Sequence, residues 1–294
     1  MGERVAQLLL ALLKALCYLT LFLGAQVLVM LPVAIAAIIR SAVEGAAVDQ
    51  EALTQLLMEQ SMAFSLVANM LTLFIVMAFY LIRRKKFSEA LWLRRVEAPA
   101  LWAGAALAPA LYVTVSVGLL ALPEAWLESY NEASSGITSG GMVGILAVVA
   151  AAPVVEEVIF RGLIMTRLSR AMPGWLAVVL SAVIFGACHG DPVWFGYTFP
   201  LGVFFGFLDL RAGSIWPSIL GHMVFNAIGQ AADLLPDSDG AVLGFFLALL
   251  VSAILFPILD RKGLKALFRR KPKAALEQTL PTVPGVYEFD PWET

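Results

Sequence analysis

The sequence predicts an all-α, polytopic membrane protein with about eight transmembrane helices in one bundle. Three observations carry that prediction. Of the 294 residues, 60% are hydrophobic and 14% charged, against about 45–50% and about 25% in soluble domains. The apolar residues gather into long runs, and nineteen of the twenty Lys and Arg residues fall on one side of them. Mean hydropathy is +0.85, an excess that no single globular core absorbs and that fits a chain in contact with lipid. The net charge of -2 says little, because the charges are segregated. No nucleic-acid partner is indicated.

A crossing helix needs about 20 apolar residues at 1.5 Å each. Eight runs qualify as candidates, at about 15–39, 61–82, 100–122, 141–164, 175–190, 193–210, 217–235 and 241–259. The first lacks a small-residue cleavage site and reads as a retained helix, not a removed signal peptide. The fifth and sixth are short and are separated by the break Gly190-Asp191-Pro192. After the eighth, Asp260-Arg261-Lys262-Gly263 forms a clear stop. Cys17 and Cys188 both lie in apolar runs, so no disulfide framework is expected.

Basic residues set the orientation. With both termini in the cytoplasm, Arg4 and Lys14, the group from Arg83 to Arg95, then Arg161, Arg167, Arg170, Arg211 and the cluster from Arg261 to Lys273 are all inside or at the inner boundary. Only Arg40 falls outside, where the loops are acidic (Glu44, Asp49, Glu51, Glu59; Glu124, Glu128, Glu132). The chain divides into N-terminal transmembrane helices (1–140), a motif-bearing core (141–235), a last transmembrane helix with a basic juxtamembrane segment (236–271) and a polar, disordered tail (272–294). The basic segment from Lys262 to Lys273 reads as a juxtamembrane helix whose charge is topogenic, with contact to anionic lipid as the alternative.

Against this background the polar residues inside the runs stand out. An ionisable group in hydrocarbon costs roughly 3 kcal/mol or more unless paired or in a polar cavity. The run ending at residue 155 is followed by Glu156-Glu157-Val158-Ile159-Phe160-Arg161. On a helix Glu157 and Arg161 stand at i and i+4 in the favourable order for an ion pair. Glu156 lies about 100° around the helix, with Phe160 at its own i+4 position. The pair therefore splits: Glu157 is held by Arg161, and Glu156 is left free to act as a general base. The chain's two histidines, His189 and His222, also lie in apolar segments, and Asn226 is one turn beyond His222. Intramembrane polar groups gather toward the bundle interior.

This set suits amide hydrolysis. Glu156 takes a proton from water, His189 helps to orient that water, and His222 and Asn226 donate to the oxyanion. A second scheme has His189, His222 and Glu156 as three ligands of a zinc ion, although no H-E-x-x-H is present. The residues leave both open, and zinc is the one cofactor they allow. Asp191 is read as a turn residue before Pro192, and Asp209 and Asp233 as helix-end boundary residues. Ser139 has no G-x-S-x-G elbow around it, and Cys188 faces away from His189. Counted along its run, His189 comes out nearer 20 Å deep and Glu156 roughly 10 Å, a mismatch that an early start to the fifth helix relieves.

Glu156-Glu157 with Arg161, Phe185 with His189, and His222 with Asn226 form the ordered series EExxxR, FxxxH and HxxxN. In this the chain resembles the CPBP family of intramembrane proteases, which includes CAAX-processing endopeptidases and bacterial Abi-type proteins. The resemblance covers about 141–235. It implies an eight-helix bundle open toward the cytosolic side, with Glu156 as general base, His189, His222 and Asn226 completing the catalytic set, and Glu157 and Arg161 as structural support. It also implies a membrane-associated peptide or protein as substrate, an integral location in the plasma (inner) membrane, and either a metal-dependent or a glutamate mechanism. Two other classes compete: a non-proteolytic immunity or partner-binding protein, and a proton-coupled transporter built on the same Glu and His residues.

The charge bias makes a direct prediction. In a variant lacking Cys17 and Cys188, a cysteine at Glu128 is labelled by a membrane-impermeant maleimide in intact cells, and one at Lys85 only after lysis. The reverse pattern overturns the topology.

Overall fold

The computed structural model describes residues 2–45, 47, 49–138, 141–232 and 249. Among them the regular structure is helical, with no strand. The chain runs through α1 (Gly2–Val43), α2 (Gln50–Glu59), α3 (Ser61–Ile82), the short α4 (Phe87–Ala90), α5 (Ala98–Leu120) and α6 (Glu124–Thr138). It continues as one composite helix, α7 (Gly141–Leu168), then α8 (Gly174–Ala187), α9 (Pro192–Ala212) and α10 (Trp216–Ala232). Seven of the eight expected spans fall on these helices. Among the described residues five helices, α1, α3, α5, α7 and α9, are long and apolar enough to cross a membrane. The eighth span, apart from Leu249, lies outside the described residues, as do the basic segment, the tail, Asp233 and Ser139. The protein is a polytopic, all-helical membrane protein. Helices α2 and α6 lie in stretches read as loops; both carry acidic first turns, and no described residue of α2 is buried.

Helix α7 is the centre of the bundle. Half of its most apolar window is buried, against about a tenth of the window in α1, and every residue from Glu157 to Ser169 is buried. An intramembrane helix covered by protein on all sides can carry charges that a lipid-facing one cannot. Helix α8 has 14 residues, roughly 21 Å at 1.5 Å per residue, too short for a full crossing of about 30 Å. The chain turns back at Gly190, whose φ of +75° suits a residue without a Cβ. The helix starts at Gly174, within a residue of the expected 175, and ends at Ala187, so the depth mismatch at His189 stands.

Two junctions fix α10 beside α7. At the first, α5 and α10 cross where Gly104 faces Pro217 and Gly221; a Cβ on Gly104 would collide with the Pro217 carbonyl. Small residues at such crossings let backbones approach without a lipid-facing gap. At the second, the segment after α4 tucks under the start of α10. Ile215 N–H donates to the Trp92 carbonyl at 3.1 Å, and the Ser214 hydroxyl donates to the Arg94 carbonyl at 2.8 Å. Trp92 takes φ +58° there while 4% exposed, a left-handed conformation that costs of order 1–3 kcal/mol and persists only where packing enforces it.

Gly104→Ala therefore destabilises the protein by about 1–3 kcal/mol through overpacking, although the same change in an open helix stabilises. Gly118, where a Cβ meets nothing within 4 Å, is the control. Thermal unfolding in detergent separates the two: a lower midpoint for Gly104→Ala, and an equal or higher one for Gly118→Ala.

Candidate active site

Helix α7 is not a uniform α-helix. It reads as α over Gly141–Ile145, π over Leu146–Ala151, α over Ala152–Glu156, π over Glu157–Met165 and α over Thr166–Leu168. A π segment widens the helix and shifts its hydrogen-bond ladder, and such segments recur at functional sites. Glu156 and Glu157 straddle one of these boundaries.

The two carboxylates part as expected, but neither is alone. Arg161 Nε stands 3.1 Å from Glu157 Oε2, with both side chains essentially unexposed. The contact is held by charge more than by alignment, since Glu157 Oε2 and Arg161 Nη1 have no hydrogen-bond partner among the described residues. The guanidinium stacks over the Phe185 ring at 4.4 Å, and its Nη2 donates to the Gly202 carbonyl at 3.4 Å. Glu157 Oε1 lies 3.0 Å from His222 Nδ1. A carboxylate paired with arginine is ionised and accepts only, so His222 Nδ1 carries the proton and Nε2 is turned outward. That Nε2 faces Glu156 Oε2 at 3.8 Å. Glu156 is thus not the free carboxylate expected from its own helix; its neighbour comes from α10, beyond the reach of i+4 reasoning. A distance of 3.8 Å is too long for a direct hydrogen bond and is one that a single bridging water spans.

His189 is brought near but not onto this pair. Its Nδ1 lies 3.0 Å from the Phe185 carbonyl. The Phe185 ring contacts both histidines, 4.9 Å from His189 and 6.1 Å from His222, centre to centre. Asn226 is one turn past His222, and its Nδ2 donates to the Val148 carbonyl at 2.8 Å, in the first π segment.

The structure corrects one reading and refines another. Asp209 is no boundary residue: it is fully buried, and its Oδ1 accepts from Ser218 N–H at 3.2 Å. It thereby caps the first turn of α10, where free N–H groups favour an acid. The Gly213-Ser214 turn that follows α9 made Asp209 look terminal in the sequence; the turn instead folds α10 back over it. Asp191 caps α9 as a turn residue, accepting from Val193 and Trp194 N–H at 2.8 and 3.1 Å. The Ser129 hydroxyl on α6 also donates to it, at 2.7 Å. That hydroxyl, helped by the two backbone donors, holds the Asp191 carboxyl below the ordinary carboxylate range. The α6–α9 tie is therefore complete above that range and is lost only as pH falls through the lowered value.

The comparisons cover the segment that carries these residues. Residues 138–228 match the family model described as type II CAAX prenyl endopeptidase Rce1-like. A Bacillus subtilis (strain 168) protein named "Putative membrane peptidase YdiL" is 33% identical over 84 residues, 29% of this chain and 34% of the relative. The motif-bearing segment belongs to the CPBP family. The chain spans about a third of the length of this curated relative, and the matched segment takes in α7 to α10 up to residue 228. No solved structure matches.

A three-ligand zinc site is not assembled among the described residues. Among the described residues no three His, Cys, Asp or Glu side chains converge on one point. The Nδ1 contacts of His222 and His189, to Glu157 and to the Phe185 carbonyl, leave both Nε2 atoms open and are of the kind that metal-bound histidines also make. Glu156 and His222 Nε2 make a pair of donors, not a set of three.

Glu157→Gln removes the charge shared by Arg161 and His222 and leaves a buried guanidinium uncompensated. A loss of about 3–5 kcal/mol follows, read as a large drop in thermal midpoint. Glu156→Gln, at a side chain 17% exposed, shifts the midpoint by no more than about 0.5 kcal/mol equivalent.

Proposed function

We propose that this CPBP core is an intramembrane endopeptidase in which Glu156 activates a water molecule near the cytosolic face. The observation that carries the reading is the pair formed by Glu156 Oε2 and His222 Nε2, 3.8 Å apart. With Nδ1 protonated against Glu157, the neutral His222 ring presents a bare Nε2. A water between the two then donates one hydrogen to each, which turns an oxygen lone pair toward the substrate carbonyl.

In the reaction Glu156 takes the water proton as the oxygen bonds to the carbonyl carbon, and the carbonyl oxygen becomes the oxyanion. When the tetrahedral intermediate collapses, the C–N bond breaks and Glu156 returns its proton to the departing amine. His222 Nε2 accepts a hydrogen bond from the water's second O–H, and that hydrogen stays on the oxygen through the tetrahedral intermediate. His189 presents Nε2 beside Phe185, where it contacts the peptide. Glu157 and Arg161 touch no reacting atom in this scheme; they fix the tautomer and the angle of His222. The Rce1-like match and the relative described as a membrane peptidase support the activity class. The substrate is a peptide or protein held at the membrane.

The test uses purified protein in liposomes and a library of membrane-anchored peptides. Glu156→Gln lowers cleavage by on the order of 10²–10⁴-fold, and a strong chelator leaves the wild-type rate unchanged. Equal cleavage by wild type and Glu156→Gln removes Glu156 from the mechanism. Loss of cleavage in chelator with rescue by zinc overturns the metal-free scheme. Intact biological function in a Glu156→Gln protein that accumulates normally favours a binding protein.

A further inference from the structure

Proline inside a transmembrane helix removes a backbone donor, and the carbonyl it would have met must find another. In α7 that carbonyl can be identified. Through the first π segment the ladder runs to the fifth residue back, and Ala152 N–H donates to the Ala147 carbonyl. The next rung would join residue 153 to the Val148 carbonyl, but residue 153 is proline and its side of the rung cannot form. Val148 is the carbonyl to which Asn226 Nδ2 donates, at 2.8 Å from α10. Pro153 is itself buried, so water does not supply the missing partner readily. One side-chain amide thus replaces one backbone amide across two helices.

We propose that Asn226 is a positioning residue: it supplies the rung that Pro153 deletes, and so locks the turn of α7 that carries Glu156 to the helix that carries His222. Glu156 is three residues after Pro153, on the same turn, and His222 is four residues before Asn226. The amide therefore ties together, one turn away, the two elements whose spacing sets the 3.8 Å approach of Glu156 and His222. An acceptor-only side chain at 226 cannot do this, and neither can an apolar one. The hydrogen bond holds the helices whatever the chain does; only its consequence for Glu156 rests on the protease reading. In that reading Asn226 acts through the Val148 carbonyl with one of its two Nδ2 hydrogens, and the double variant decides whether the other serves the oxyanion.

The prediction is that Asn226 matters only while residue 153 is proline. Full-length protein in detergent is compared as wild type, Asn226→Ala, Pro153→Ala and the double variant, by hydrogen exchange of peptides covering 146–157 and by thermal unfolding. Asn226→Ala speeds exchange in that segment by roughly tenfold, the size expected when a buried carbonyl loses its donor. In the Pro153→Ala background the same change has little effect, because residue 153 now has an N–H of its own. If Asn226→Ala alone fails to accumulate, recovery of the protein in the double variant is the equivalent result. No effect of Asn226→Ala, or an equal effect in both backgrounds, overturns the proposal. Cleavage supplies the second readout: where wild type cleaves a library peptide, Asn226→Ala loses that cleavage and the double variant regains it. Exchange restored without cleavage places Asn226 on the reacting atoms and overturns the positioning role. If wild type cleaves nothing, the protease reading fails, and the exchange data decide the rung alone.

Discussion

The structure depends on one buried anion. Glu157 sits fully enclosed, between Arg161 on its own helix and His222 on α10. A carboxylate there, taken from water without partners, costs several kcal/mol even after relaxation; with a guanidinium on one oxygen and an imidazole N–H on the other it is tolerated. Its value is specificity more than stability. Apolar packing would hold α7 against α10 about as well, but it would not select one rotation of an imidazole ring. The anion does, and the consequence is a bare Nε2 facing Glu156.

Around that point the surrounding helices behave as a mould. Phe185 covers Arg161, contacts both histidines and meets Phe160 edge-on, with ring centres 5.2 Å apart. Phe205 stacks on His222 at 6.0 Å. Gly202 admits Arg161 close to the α9 backbone, and Gly221 admits α5 to α10. Aromatic walls exclude water and so strengthen each electrostatic contact inside them, while the glycines set how near those walls come. Helix α3 adds polar atoms of its own: the Tyr80 hydroxyl accepts from Arg167 Nη2 at 2.7 Å, and Asn69 and Thr72 are buried.

Much of this was legible in the sequence, for stated reasons. Span positions follow from run length, so α3 appears at 61–82 as read. The Glu157–Arg161 pair follows from helical spacing, and the shared face of His222 and Asn226 follows from the same period. What was not legible lies between helices. The His222 contact to Glu157 joins residues 65 apart, and nothing in a local pattern names such a partner. Asp209 looked terminal because Gly213 ends its helix, although a buried acid ahead of a new helix start was there to be read as a cap. Pro153 was visible as a proline inside a span; the signal was present, but identifying the orphaned carbonyl requires knowing that the local ladder is π and not α.

The central claim is that Glu157 fixes His222 with its proton on Nδ1 and Nε2 facing Glu156. It is tested most directly by solid-state nuclear magnetic resonance of ¹⁵N-histidine-labelled protein in lipid, where the two histidines of the chain make assignment simple with a His189 variant. The account predicts for His222 a protonated Nδ1 with the signature of a strong hydrogen bond, lost in Glu157→Ala. A His222 ring with its single proton on Nε2, or one indifferent to Glu157→Ala, would contradict it.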